Sequence, residues 1–516
     1  MNERKVEWTR NAAAKSIVLF VVHFVVLVLV SMILLLWDNF GNLTQEIHEN
    51  GADYLYMIFC QLLIVIVMYT YLFFESKKSL ASGKTISLIF TVLDVYVILA
   101  FFIGRQGANM ADGVSYGIFA RPVALVALLI LMLIGRKEAI FMNIVSAILV
   151  LLMDIVGANM GAGDEQTRVI QTAYSSLIIN FVAGMMAIFL ANRAKTRFSV
   201  VVVGLLITLP IILIIFLLEL TTMVDINIDT SSETFWPNML MQMGYGVFGA
   251  IMSAVLFLFI LPIFEWMFNC LTAYRLREIT AHDAPLLKKL QQEAPGTFNH
   301  SVMVAQLAEA CAAALGENVD YARAAAYYHD VGKLHQPEYF TENQQEYNLH
   351  DELTPELSAD IIRQHAQEGS DLIRARRLPQ FLADVALEHH GTLPIRYFYA
   401  KALKMTDAEL NIEDFSYRGP KPRTKIAAII MIADGSEAAV RALPKRTDEA
   451  VEKVVRGVIE ERMELEQFSE CNITMEDLTI IRKTLVETLS GVYHHRVKYP
   501  GIKYAKGDDG SARGEV

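Results

Sequence analysis

From residue 16 to residue 264 one pattern recurs: a long apolar run, then a short polar break. Each run approaches the roughly 20 residues a helix needs to cross a bilayer core. Eight segments are readable: Ser16–Trp37, Tyr54–Phe74, Ile86–Gly104, Gly117–Gly135, Ala139–Val156, Val169–Ala191, Phe198–Leu218 and Met241–Phe264. The stretch from Glu265 to about Arg277 reads as a helical continuation of the last span into the cytosol. Beyond it the pattern changes. Apolar positions such as Val302, Val304, Leu307 and Ala308 recur among charges at helical spacing, so each helix offers one face for burial. Pro295-Gly296-Thr297 reads as a turn and Asp320 as the cap of an Ala-rich helix ending near Val331, with Gly332 just past its end. Thr354-Pro355 reads as a helix start, and Lys425–Leu443 as a helix stopped by Pro444.

Strand signals are scarce, so the expected fold class is all-α: a polytopic helical membrane domain followed by a cytoplasmic all-helical domain. Residues 1–53 form an N-terminus, a first transmembrane helix and a short extracytoplasmic loop, and 54–268 hold seven further spans. Residues 269–505 form the cytoplasmic domain, and 506–516 a glycine- and charge-rich tail expected to be disordered.

Composition agrees with this division. The hydrophobic fraction is 54%, above the ~45–50% of ordinary soluble chains, and the excess precedes residue 268. The first span is too long, and lacks the small-residue cleavage site, for a removable signal peptide. A net charge of -11 argues against a nucleic-acid polymer as partner. Cys60, Cys270, Cys311 and Cys471 are far apart and form no CxxC pair, so neither a disulfide framework nor a zinc ribbon is implied.

Cations select the orientation. Arg4, Lys5, Arg10 and Lys15 precede the first span, Lys77, Lys78 and Lys84 follow the second, Arg136 and Lys137 the fourth, and Arg193, Lys195 and Arg197 the sixth. The alternate loops carry acids such as Asp38, Glu46, Glu49, Glu219, Asp225 and Asp229. Both termini are therefore expected in the cytoplasm of a bacterial inner-membrane protein, with lipid as its surroundings. His23, Asp94, Asn143, Asp154 and Asn180 fall inside spans and are read as interhelical hydrogen-bonding groups. No repeated half, paired broken helices or charged route suggests a transporter.

Candidate chemistry lies in the second half. His300, His329-Asp330, His365, His389-His390 and Asp434 follow one another in an ordered series. Imidazole with carboxylate suits Mn, Fe, Co or Zn better than Mg or Ca. Asp330 has two oxygens and can bridge two ions while His329 holds one of them. Asp434 sits on the apolar segment Ile429-Ile430-Met431-Ile432-Ala433-Asp434-Gly435, where a buried carboxylate must be paired, protonated or metal-bound. His335, His350 and the pair His494-His495 are expected to stay outside any metal site. Lys333, four residues after His329, is read as adding positive charge to a phosphate. Tyr397, Phe398 and Tyr399 are core aromatics or, for Tyr397 above all, a stacking surface for a base.

These segments resemble a known family. Gly296-Thr297-Phe298-Asn299-His300-Ser301-Val302-Met303-Val304-Ala305, Tyr327-Tyr328-His329-Asp330-Val331-Gly332-Lys333 and Tyr339-Phe340-Thr341-Glu342-Asn343-Gln344 look like the HD phosphohydrolase superfamily. So do Glu388-His389-His390-Gly391-Thr392, Gly419-Pro420-Lys421-Pro422 and Ala433-Asp434-Gly435-Ser436-Glu437-Ala438. With the preceding spans they resemble the seven-transmembrane HD-domain (7TM-HD) family, whose known activity is hydrolysis of cyclic di-AMP.

The resemblance implies a metal-dependent phosphodiesterase with a di-iron or di-manganese centre. His300, His329, Asp330 and Asp434 would hold one ion, and Asp330, His365, His389 and His390 the other. Two ions ~3.5–4 Å apart would activate a bridging water as hydroxide for in-line attack on phosphorus. Opening the ring of cyclic di-AMP gives pApA, with Asp330 and Lys333 in catalytic roles and Lys333, Thr392 and Tyr397 facing substrate. Family members usually carry a sizeable extracellular domain after the first span, whereas here only Asp38–Asp53 fills that gap. Two other readings are an HD phosphohydrolase on another nucleotide, cyclic di-GMP or a mononucleotide, and a nucleotide-binding membrane receptor without turnover. The Gly-Tyr-Pro element of cyclic di-GMP-cleaving relatives is absent from Gly391-Thr392-Leu393-Pro394-Ile395-Arg396. The sequence leaves oligomeric state open, a homodimer included.

Overall fold

A computed structural model describes residues 10–37, 40–107, 115–159, 165–192, 194, 196–226, 235–268, 270–344, 347–406, 409–492, 505–506 and 512–513. The chain divides into two units, Met1–Arg275 and Leu276–Val516. His494-His495 and most of the tail lie outside the described residues. Extended pairing among the described residues is confined to a two-residue ladder, Ala505–Lys506 with Ala512–Arg513, and a bridge between Pro394 and Ser416.

The first unit comprises α1 (Arg10–Leu35), α2 (Leu43–Glu75), α3 (Lys77–Ala81), α4 (Gly83–Gly104), α5 (Leu125–Leu133), α6 (Arg136–Asn159), α7 (Glu165–Ala191), α8 (Ser199–Leu206), α9 (Thr208–Ile226) and α10 (Phe235–Met267). Among the described residues, 7 helical segments are long and apolar enough to cross a membrane. Their outward faces carry large apolar side chains, among them Phe59, Leu63, Phe74, Leu209 and Phe259. Water would not tolerate so large an apolar surface on a monomer. Lipid does, and the protein is a multi-pass membrane protein.

The expected span Gly117–Gly135 is not one continuous helix. A 3-10 turn, Tyr116–Ile118, is followed by non-helical backbone and then the nine-residue α5. Pro122 explains the break, since it lacks an N–H and disfavours helical backbone at Arg121 before it. Interrupted backbone at membrane depth needs internal partners. Ser253 Oγ accepts from the Ala124 amide at 3.2 Å, and the Arg121 guanidinium donates to the Ala100 carbonyl at 3.0 Å. Arg121 also makes two 2.6 Å hydrogen bonds to Asp154.

The other polar residues of the spans mostly link helices. His23 meets Ser87 at 3.0 Å, Asn180 accepts from Tyr96 at 2.7 Å, and Asn143 donates to the Phe181 carbonyl at 3.1 Å. Asp94 Oδ1 is buried without a hydrogen-bond partner among the described residues. Nor does the last span run on unbroken. α10 stops at Met267, and α11 (Ala273–Ile279) begins afresh, its Arg275 amide capped by Thr272 at 3.2 Å.

The second unit contains α12 (Pro285–Glu293), α13 (Pro295–Leu315), α14 (Val319–Tyr328), α15 (Pro355–Ala375), α16 (Gln380–Glu388), α17 (Arg396–Leu403), α18 (Lys425–Arg441), α19 (Asp448–Glu464) and α20 (Met475–Val492). Its core joins α13, α14, α18, α19 and α20 through Val304, Leu307, Ala325, Ile429, Ile432, Val455 and Leu485. Pro295 opens α13, so Pro295-Gly296-Thr297 is a first helical turn, and Gly316 at φ 68 ends that helix. The cap of α14 is Asn318, whose side chain accepts from the Tyr321 amide, rather than Asp320. That displaces the expected helix: α14 ends at Tyr328, before His329. Thr354 and Thr424 cap α15 and α18 in the same way.

Candidate metal centre

Helix ends and buried helix faces gather the histidines. His300 lies on α13 and His365 on α15, while His329 and His389 cap the C-terminal ends of α14 and α16. Asp434 lies on α18, and Asp330 opens a 3-10 turn, Val331–His335. Two sets of ligand-type atoms result, each within 4.8 Å of one another: His300, His329 and Asp434, and Asp330, His365, His389 and His390.

Asp330 stands between them. Its Oδ2 is 3.3 Å from His329 Nε2 and 3.7 Å from His300 Nε2. Its Oδ1 is 3.3 Å from His365 Nε2 and 3.6 Å from His389 Nε2. His300 Nε2 is 2.9 Å from Asp434 Oδ1, and His390 Nδ1 is 3.9 Å from Asp434 Oδ2.

The rings are held from behind. His329, His365 and His389 direct Nδ1 at carbonyls of Ala326, Ile362 and Ala386 in their own helices, at 2.6, 2.5 and 2.8 Å. Nδ1 must then carry the proton, and Nε2 faces the cluster with a lone pair. His329 Nε2 and Asp330 Oδ1 are buried without a hydrogen bond. Orphaned buried acceptors are costly, and a divalent cation in each set would satisfy them, His329 Nε2 in one and Asp330 Oδ1 in the other. The donor set fits such ions.

Burial pushes His365 down to about 3, and it lowers His390 as well, helped by the neighbouring His389. Both stay neutral, the form that ligates. His300 behaves differently. Burial opposes its charge, but hydrogen bonds with Asp434 and Glu437 outweigh that and hold it up at about 10. Burial also works against charge on Asp330, yet the nearby His329 and Lys333 hold its carboxyl well below the usual range.

Lys333 lies within the 3-10 turn, and its ammonium is 2.7 Å from both Asp330 Oδ2 and Glu342 Oε1. It does not extend freely toward a phosphate. Glu342 also accepts from Thr297 Oγ1 at 3.1 Å. Close packing requires glycine at two positions here. A Cβ on Gly332 would lie 1.9 Å from the His365 carbonyl oxygen, and one on Gly296 would lie 1.9 Å from that of Glu342.

Thr392 is exposed, with its amide and hydroxyl engaged by Gln467 at 3.0 and 2.9 Å. Tyr397 is 65% exposed, so its face is open to a ligand. Phe398 is buried beside His350, and Tyr399 packs on Phe415. Tyr417, which sequence reasoning missed, stacks on His390 with ring centres 4.2 Å apart. Glu342, Glu437 and Gln467 were also missed as partners. Glu342 and Glu437 left a local trace, each lying inside an HD-like motif run, whereas Gln467 left none. His335 is exposed, 3.9 Å from Glu368, and His350 meets the Tyr339 carbonyl at 2.9 Å. Neither belongs to the two sets.

A polytopic helical membrane unit joined to a helical domain carrying this His/Asp cluster defines a membrane-embedded HD-type protein. Family comparison agrees: residues 297–439 match the HD domain, and residues 51–272 match the 7TM receptor with intracellular HD hydrolase. The chain belongs to the seven-transmembrane HD-domain family. It is 36% identical over 442 residues to the cyclic-di-AMP phosphodiesterase PgpH of Bacillus subtilis (strain 168), covering 85% of this chain and 59% of that protein. It is 34% identical over 443 residues to the PgpH of Listeria monocytogenes serotype 1/2a (strain 10403S), covering 86% of this chain and 58% of that one. The chain thus spans less than two thirds of the length of these curated relatives. The crystal structure of the L. monocytogenes PgpH HD domain in complex with cyclic-di-AMP is 48% identical to it, over 42% of this chain and all of that one, with a TM-score of 0.40.

Proposed function

We propose that this chain is a membrane-bound phosphodiesterase that hydrolyses cyclic di-AMP to pApA at a centre of two divalent cations, manganese or iron. The observation that carries the reading is the position of Asp330, each of whose oxygens faces a different set of imidazoles. Its two curated PgpH relatives are named for cyclic di-AMP phosphodiesterase activity. His300, His329, Asp434 and Asp330 would hold one ion, and Asp330, His365, His389 and His390 the other. Bound cations supply an activated water and charge neutralisation at the phosphoryl oxygens.

The residues of this chain supply geometry. Backbone-anchored Nδ1 atoms keep three Nε2 lone pairs directed inward, so little reorganisation is needed during the reaction. Lys333, fixed between Asp330 and Glu342, orients the shared carboxylate and keeps its positive charge beside the cluster. Thr392, positioned by Gln467, lies on the loop beside His390. Tyr397 offers an exposed ring on which an adenine can stack. Lysine and arginine between the spans support a cytoplasmic location for both termini and for this site.

The test is incubation of the full chain in detergent micelles with manganese and either cyclic di-AMP or cyclic di-GMP, products being resolved by chromatography. Conversion of cyclic di-AMP to pApA in preference to cyclic di-GMP is expected. Preferential cleavage of cyclic di-GMP would overturn the substrate assignment. Tight binding of cyclic di-AMP without turnover would replace the enzyme by a receptor.

A further inference from the structure

The two sets of ligand atoms differ in what stands behind them. Three histidines, His329, His365 and His389, rest on neutral carbonyls of their own helices. His300 has a carboxylate instead: its Nδ1 is 2.7 Å from Glu437 Oε2, while its Nε2 faces Asp434 and Asp330. Glu437 is fully buried on α18, one turn beyond Asp434. Its other oxygen is 3.5 Å from Arg441, whose side chain is 42% exposed, so solvent screens that cation.

Charge divides accordingly. The set of His300, His329 and Asp434 has its own carboxylate and Glu437 behind it, whereas His365, His389 and His390 have the shared Asp330 and, at the longer distance of 3.9 Å from His390, the second oxygen of Asp434. Nearby acids do not restore the balance. Glu388 is turned to the Arg423 amide at 3.1 Å, and Glu342 is paired with Lys333.

We infer that Glu437 is a positioning residue that fixes His300 for ligation and makes the His300–His329–Asp434 half the tighter of two unequal cation sites. A carboxylate behind a ligating imidazole fixes its tautomer and orientation and raises its basicity, and losing such a partner costs about 10–100-fold in affinity. The inference rests on the reading of the cluster as a two-cation centre.

The test is a titration of the chelator-stripped full chain in detergent with manganese alone, free Mn(II) being followed by electron paramagnetic resonance. The parent should show two classes of site of different affinity. Glu437→Gln keeps the shape but removes the charge, and should weaken the tighter class about 10–100-fold, with the weaker class and the helix content of the stripped protein unchanged. An unaltered tighter class in Glu437→Gln, or equal weakening of both classes, overturns the inference while leaving the two-cation reading intact. A parent that binds no manganese overturns both.

Discussion

Replacing Gly332 by alanine tests whether the site depends on close backbone approach. The new Cβ would meet the His365 carbonyl oxygen at 1.9 Å and the Gly369 amide nitrogen at 2.5 Å, whereas ordinary contact begins near 3.4 Å. Both obstacles are backbone of α15, so no rotamer change relieves them. The 3-10 turn and α15 must separate by about 1.5 Å, and overpacking on this scale costs about 1–3 kcal/mol. The separation pulls His365 away from Asp330, now 3.3 Å distant. A misplacement of about 1 Å can cost ~100-fold in rate. The assay pairs thermal unfolding in detergent with manganese stoichiometry, using Gly457→Ala as control. Gly457 lies inside α19 with nothing within 4 Å of its would-be Cβ, so alanine there should stabilise by about 0.5–1 kcal/mol. Gly332→Ala should unfold earlier and lose an ion. If it matches the parent in both measurements, the steric argument is wrong.

Two further perturbations separate the units. In the membrane unit, Arg121→Met leaves Asp154, only 11% exposed, without its guanidinium partner, which should cost up to about 3–5 kcal/mol in thermal unfolding. The double variant Arg121→Met/Asp154→Leu should recover most of that loss; no recovery would argue against the pair. In the second unit, Asp477 and Thr474 cap α20 reciprocally at 2.9 and 3.1 Å, and Lys425 meets Asp477 at 2.7 Å. Burial opposes the Asp477 charge, but Lys425 and Thr474 outweigh it and lower its pKa. Its contribution is therefore full above the unfolded value of about 3.9 and lost as pH falls through the folded one. Asp477→Asn should destabilise by about 1 kcal/mol at neutral pH, with the difference shrinking toward zero below pH ~4 in parallel melts.

Helix content and the ordered His/Asp series were legible because both are local. Ile429 through Ala433 are apolar all round and are buried on every side, and Thr354-Pro355 starts a helix as read. What was not legible depends on tertiary contact or on backbone detail. Hydropathy could not register that Pro122 breaks the segment beginning at Gly117, since apart from Arg121 the residues around it are apolar enough for a span. Asn318 and Asp320 are both acceptable caps in sequence, and only the backbone selects Asn318. Lys333 looked free because its second partner, Glu342, comes from a separate loop. Gln467 reaches Thr392 across 75 residues, a pairing with no periodic signature.

Metal counting on the purified full chain tests most directly whether Asp330 joins two cation sites. Parent protein and Asp330→Asn would be loaded with manganese, freed of excess by gel filtration, and measured for metal per chain and for magnetic coupling between ions. Two coupled ions are expected in the parent, and at most one, uncoupled, in Asp330→Asn with its helix content retained. Two coupled ions in both proteins would contradict the bridging role of Asp330.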